Sequence, residues 1–253
     1  MNPTLMLDHV RVVLCRPSHP GNIGAAARAM KTMGLSRLYL VNPKLFPDDE
    51  ATARASGAAD VLERAICCAS LDEALHGTVR AAALSARSRD LGPLPLQPRD
   101  GASLLLQPGE NQAPAEVALV FGNETSGLTN EELQRCQIAI SIPANPLYSS
   151  LNLGAAVQVL CYEMRLAAFS GQPPAIGLAT PSCSPPATHE EMEGFYGHLE
   201  QVMIDSGFHD PARPKRLLPK LRRLFSRAAP EKEEVNILRG ILAAVQHFLP
   251  KQQ

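Results

Sequence analysis

The 253-residue sequence contains no tryptophan, and aromatic residues make up only 4% of it. A core must then come from Ala, Leu, Val and Ile, which a hydrophobic content of 45% permits. No apolar run approaches the roughly 18 residues of a membrane span. No cationic segment precedes an apolar one at the N-terminus, so neither a transmembrane helix nor a signal peptide is expected. The six cysteines, Cys15, Cys67, Cys68, Cys136, Cys161 and Cys183, form no C-x-x-C pair. They are expected as reduced, buried thiols of a cytoplasmic protein, with no metal site. A G-x-G-x-x-G loop is also missing. The first strand-loop-helix carries Gly21 and Gly24 alone, and no acidic residue closes the second strand, which disfavours a nicotinamide-dependent oxidoreductase. Net charge is −1, so bulk charge gives no support to a nucleic-acid partner and any such case rests on how charge is distributed.

What is present is an alternation of strand and helix signals. Val10–Cys15 is a β-branched apolar run. Asn22 can cap a helix over Ile23–Met33, with Ile23, Ala26, Ala27, Met30 and Met33 on one face and Arg28 and Lys31 off it. Leu38–Val41 completes a βαβ unit, whose strands should be parallel. Residues 51–76 read as mixed helix and short strand, Val79–Leu84 as a buried strand, and Leu91–Pro98 as irregular. His19 and His76 read as surface histidines. The pattern predicts an α/β domain with a mainly parallel sheet flanked by helices.

The densest chemistry lies in Val117–Ala167. A strand, Val117–Phe121, breaks on Gly122-Asn123-Glu124, and a short helix follows at Asn130–Arg135. A second strand, Ile138–Ile142, ends at Pro143, and turn residues lead to a buried helix over Leu151–Ala167. Two strands thus deliver polar loops at their C-terminal ends, the edge where open α/β sheets bind ligands.

These residues carry a resemblance. FGNETSGL and IPANPLYSSLNLGAAVQVLCYE resemble the second and third motifs of the SPOUT (SpoU-type) RNA ribose methyltransferases, and NIGAAARAMKTMG, residues 22–34, resembles the first. The chain is most similar to the TrmJ branch, strongly over residues 9–168. FYGHLEQ, LRRLFSRA and NILRGIL extend the likeness into the tail. The resemblance implies a SPOUT fold whose C-terminal trefoil knot threads Leu151–Ala167, and a homodimer with cofactor sites near the interface. It further implies S-adenosylmethionine-dependent methylation of a ribose 2′-hydroxyl in a tRNA anticodon loop, a pyrimidine at position 32. A ribosomal RNA target and a catalytically silent RNA-binding relative are the alternatives. Leu84, Ser85, Ala86, Gly122, Ile142, Ser149, Ser150 and Leu151 fall where the branch lines its cofactor pocket. Arg28 falls on the arginine regarded as essential, with Asn22, Glu124, Ser150 and Asn152 on surrounding motif positions. The sequence departs from the branch at Leu84, where a small polar residue is expected, and at Asn123, where many relatives carry Arg.

Taken singly, Asn22 is a helix cap, Arg28 a solvated helix residue, and Gly122, Gly127 and Pro146 turn residues; their order and spacing carry the functional reading. Methyl transfer from a sulfonium is largely a matter of positioning. A guanidinium stays protonated, so Arg28 suits a phosphate beside the target ribose and a developing alkoxide better than proton removal.

Composition also divides the chain into a catalytic domain, 1–169, a Pro-rich linker, 170–189, and a small helical extension, 190–253, too small to bury a core alone. Helices are expected at Glu190–Asp205 and Glu233–Leu249. Between them, the span from Arg213 to Arg227 holds Arg213, Lys215, Arg216, Lys220, Arg222, Arg223 and Arg227 and no acid. Leu217, Leu218, Leu221, Leu224 and Phe225 can anchor this segment. Its cations, Lys215, Arg216, Lys220, Arg222 and Arg223 above all, are expected to face tRNA phosphates.

Overall fold

The computed structural model describes residues 6–85, 95–107, 115–170 and 184–248. Among them, seven parallel strands form one sheet in the order β3-β2-β1-β6-β4-β7-β5. The strands are β1 (Val10–Cys15), β2 (Arg37–Val41), β3 (Ile66–Cys68), β4 (Arg80–Leu84), β5 (Pro95–Leu96), β6 (Val117–Phe121) and β7 (Ile138–Ile140). Every residue of β1 and β6 is buried; β6 is a continuous apolar run, as a central parallel strand requires, and β1 is apolar but for Arg11, which pairs with Glu116. The helices are α1 (Pro20–Met33), α2 (Asp49–Ala55), α3 (Ala59–Glu63), α4 (Leu71–Leu75), α5 (Pro98–Leu105), α6 (Asn130–Gln134), α7 (Leu153–Ser170), α8 (His189–Asp205), α9 (Leu217–Ala228) and α10 (Lys232–Phe248).

Alternate strand residues feed two cores. Val12, Leu14, Leu119 and Phe121 face α1, α2, α3, α5 and α7. Val13, Cys15, Ala118 and Val120 face α4 and α6. Small residues let the layers approach closely: a Cβ on Gly24 of α1 would lie 2.1 Å from the Ala51 carbonyl oxygen of α2. This is how a chain poor in aromatics reaches interior packing density. The segment expected to enter the knot is α7, which packs against α1 and α5.

Two expectations change here. Helix α1 begins at Pro20, ahead of Asn22, because His19 supplies the cap by accepting the Gly21 N–H at 3.2 Å. Asn22 lies in the first turn, with its side chain free for other work. His19 and His76 are exposed, as read from the sequence, and each has an acidic neighbour: His19 lies 3.8 Å from Glu50 and His76 2.6 Å from Glu190. Among the cysteines, Cys15, Cys68, Cys136 and Cys161 are buried, whereas Cys67 on the short strand β3 is exposed; Cys183 lies outside the described residues. Burial raises the thiols of Cys15, Cys136 and Cys161, which keeps them protonated.

The C-terminal helices build a third core from Ala187, Met192, Phe195, Tyr196 and Val235, with Phe225 of α9 edge-on to Phe195. They are not independent of the sheet. The His189 N–H donates to the Thr78 carbonyl at 2.9 Å, and Glu190 accepts from the Gly77 N–H at 2.8 Å. No helix of the described residues is long and apolar enough to cross a membrane.

Candidate active site

Because all strands run parallel, the ends of β1, β4, β6 and β7 share one edge, and the loops that follow them converge there. Their residues enclose a cleft. Leu84 and Ser85 come from the end of β4, residues 121–128 from β6 and its loop, Ile142 from beyond β7, and Ser149, Ser150, Leu151, Leu153 and Ala156 from the approach to α7 and its first turn. Seven of the eight residues nominated for the cofactor therefore line a single cleft. The eighth, Ala86, lies outside the described residues.

The β6 loop is folded tightly on itself. Asn123 bridges to Gly127, and the Asn123 Oδ1 accepts the Thr125 N–H at 2.9 Å. A Cβ on Gly122 would lie 2.2 Å from the Gly127 carbonyl carbon and 2.3 Å from the Leu128 nitrogen. Only glycine allows the two ends of this loop to meet. Asn123, the departure from the branch pattern, is thus committed to loop structure, and its Nδ2 also donates to the Arg16 carbonyl at 2.7 Å.

Behind the cleft, three motif residues form a directed hydrogen-bond relay. The Gly154 N–H at the start of α7 donates to Asn152 Oδ1, Asn152 Nδ2 donates to Asn22 Oδ1, and Asn22 Nδ2 donates to Glu124 Oε1, each at 2.9 Å. The helix terminus at one end and the carboxylate at the other fix both amide orientations. Glu124 Oε2 also accepts from the Ser18 N–H at 2.9 Å and the Ser18 hydroxyl at 2.7 Å. Burial pushes the Glu124 carboxyl up, but the donors on Asn22 and Ser18 outweigh it and hold it below the usual carboxylate range. Such a carboxylate is a weak base. Its geometry ties together the loops after β1, β6 and β7.

Two nominated groups lie elsewhere. Arg28 is on the exposed side of α1, outside the cleft lining, and its guanidinium has no partner among the described residues. The basic segment forms α9, with Lys215 and Arg216 just ahead of it and Lys220 on it, all exposed. Arg222 is different: both its terminal nitrogens donate to Glu193 of α8, at 2.6 and 2.7 Å, and its guanidinium lies over the Tyr196 ring. The expectation that this run is unbalanced by acid is corrected, since Glu193 supplies the acid from a neighbouring helix. Leu224, expected as an anchor, is half exposed, and Phe225 is the residue that anchors α9.

Sequence reasoning missed Ser18, Thr125, Ser126 and Phe121 at this site. Ser18 precedes the first motif and has no signal of its own. Phe121 reads only as the end of a strand.

Comparison with known proteins agrees with this geometry. The SpoU rRNA Methylase family matches residues 9–162, and the C-terminal domain of the tRNA methyltransferase TrmJ matches residues 190–253. The chain is 51% identical over 245 residues to the tRNA (cytidine/uridine-2′-O-)-methyltransferase TrmJ of Pectobacterium atrosepticum, covering 95% of this chain and 98% of that one. It is 52% identical over 247 residues to the tRNA (cytidine/uridine/adenosine-2′-O-)-methyltransferase TrmJ of Pseudomonas aeruginosa, covering 95% of each. The crystal structure of TrmJ from Z. mobilis ZM4 superposes with a TM-score of 0.79 at 32% identity, over 93% of this chain and 98% of that one. With both parts matched and nearly the full length of these relatives spanned, the chain belongs to the SpoU methylase family, in its TrmJ branch.

Proposed function

We propose that this protein methylates the ribose 2′-hydroxyl of a tRNA anticodon-loop nucleotide, a pyrimidine at position 32, using S-adenosylmethionine. The observation that carries the reading is the convergence of the second and third motifs on one strand-end cleft, tied to the first motif by the Asn152–Asn22–Glu124 relay. The cleft suits the cofactor. Leu84, Phe121, Ile142 and Leu151 provide apolar surface for an adenine, and the glycine loop and residues 149–151 bring backbone groups to its rim. When bound, the cofactor supplies an electrophilic methyl group.

The chain's own residues have three tasks. Residues of the loops after β4, β6 and β7 hold the donor in place. The relay keeps the β1, β6 and β7 loops in register, so that Ser150 and the first motif stay in fixed relation. Arg28, an exposed guanidinium, grips the phosphate next to the target ribose and stabilises the charge that develops as the hydroxyl loses its proton. The matched C-terminal domain favours tRNA over ribosomal RNA. The exposed cations Lys215, Arg216 and Lys220 supply a gripping surface, and a tRNA substrate places the protein in the cytoplasm.

The enzyme acts as a homodimer in this reading. Leu147 and Tyr148 before α7, with Tyr162, Leu166 and Phe169 along it, are exposed apolar groups that a second copy would cover. Calorimetry in EDTA tests the cofactor assignment: S-adenosylmethionine and its demethylated product should both bind. Silence with both ligands, or heat with a nicotinamide dinucleotide instead, refutes it.

A further inference from the structure

Four charged groups of alternating sign run from the sheet domain into the C-terminal helices. The Asp72 carboxylate on α4 lies 2.9 Å from His189 Nε2 and 3.3 Å from Arg135 Nε. Arg135, the residue after α6, also pairs with Glu193 of α8. Glu193 in turn receives the fork of Arg222 from α9. One carboxylate thus holds two guanidiniums that belong to different parts of the chain. Paired forks of this kind are directional as well as attractive. Burial pushes the Glu193 carboxyl up, but the Arg222 hydrogen bonds and the charges of Arg222 and Arg135 hold it below the usual range. The Glu193 and Arg222 side chains are 23% and 18% exposed, so salt screens the pair less than a surface one.

Each end of the chain leads to functional surface. On the sheet side, α6 carries Glu132, which receives Arg16 at 3.1 and 2.7 Å and accepts the Thr129 N–H at 2.7 Å. The Arg16 carbonyl holds Asn123, and Asn123 shapes the loop of the cleft. On the other side, α9 packs directly on α6 and exposes Lys220 and Arg227. Among the described residues, Glu193 is the acid that pairs with both arginines.

We infer that Glu193 is a positioning residue for RNA methylation: by holding Arg135 and Arg222 together it fixes the span from the basic helix to the cleft loop, and so selects which nucleotide reaches the cleft. The inference rests on the proposed role of α9 as a tRNA grip. A polyanion held by exposed cations alone slides, because phosphate contacts carry no sequence information. A fixed span between grip and cleft turns that contact into a ruler. A misplacement of about 1 Å at the reacting atoms costs up to ~100-fold in rate.

The test uses the full chain and a full-length tRNA transcript. Glu193→Gln keeps the side chain's size but removes the charge, and its NH2 group, at either oxygen's position, meets an arginine N–H that needs an acceptor. The expected result is unchanged S-adenosylmethionine affinity, an unchanged salt slope of tRNA binding, kcat/KM lowered by ~10–100-fold, and methyl groups mapped on nucleotides next to the normal target. Arg135→Gln cuts the link on the sheet side while leaving Glu193–Arg222 intact within the C-terminal helices, so those helices keep their own packing. It should give the same spread of methylated positions. Methylation confined to the normal nucleotide at wild-type kcat/KM in both variants overturns the inference, as does an equal loss of activity with no spread. Lys220→Ala with Arg227→Ala reports on the underlying reading: it should weaken tRNA binding and reduce the salt slope by about 1–2. Unchanged binding in that variant overturns the α9 grip, and the ruler with it, whatever Glu193→Gln does.

Discussion

Replacing Glu124 with Gln probes the relay at its terminus. The substitution is nearly isosteric, so its effect comes from hydrogen bonding. Asn22 cannot turn its amide to compensate, because its Oδ1 holds Asn152, and Asn152 is fixed by the Gly154 N–H. The new amide must therefore keep its oxygen toward Asn22 and turn its NH2 toward Ser18. The Ser18 hydroxyl can rotate to accept from it, but the Ser18 N–H, now at 2.9 Å from the Glu124 carboxylate, loses its acceptor. One charge-assisted bond and one satisfied N–H disappear. Each such loss costs about 1–3 kcal/mol when buried, and the partial exposure here brings the sum to roughly 1–2 kcal/mol. For a chain of this length that lowers Tm by about 2–8 °C. The same free energy, expressed as loop misplacement, lowers kcat/KM by ~5–30-fold. Scanning calorimetry and initial rates on tRNA measure the two effects. Wild-type Tm together with wild-type kcat/KM would refute the claim that Glu124 ties the three loops together.

Gly122→Ala should weaken S-adenosylmethionine binding by at least ~10-fold, since its Cβ meets backbone atoms that cannot move independently; equilibrium binding checks this. Arg28→Ala should abolish turnover, by ~100-fold or more, and leave cofactor affinity unchanged in the same binding assay. Arg28→Lys should also be badly impaired, because it loses the bidentate fork. The depressed Glu124 carboxyl contributes stability above its ordinary unfolded value of 4.5 and loses it as pH falls through the lower folded value. The wild-type and Glu124→Gln Tm difference should therefore be constant from pH 6 to 8 and shrink only in acid.

Much of the fold was legible because burial leaves a plain mark on sequence. The strand Val117–Phe121 is a continuous apolar run, Val10–Cys15 is one but for Arg11, and both have matching boundaries in the structure. The two-residue strand Pro95–Leu96 is too short to produce a periodic signal and sits among prolines. Asn22 looked like a cap because capping residues and relay residues are chemically alike. What displaced it is a histidine capping a helix that starts with Pro20, and proline suits a first-turn position with no N–H to satisfy. The relay joins residues 102 and 130 positions apart, which local pattern cannot connect; motif order alone brought Asn22, Glu124 and Asn152 together. Glu193 was invisible for the same reason. Its partner Arg222 lies 29 residues away on another helix, so the basic run looked unbalanced until the helices were packed.

The central claim is methyl transfer to one ribose. Incubating the protein with labelled S-adenosylmethionine and an unmodified tRNA transcript, with ribosomal RNA in a parallel reaction, then mapping the label, tests it directly. The account predicts one labelled 2′-hydroxyl, at position 32 of the anticodon loop. Label on a base, label on ribosomal RNA in preference to tRNA, or no transfer by a protein that binds the cofactor would contradict it.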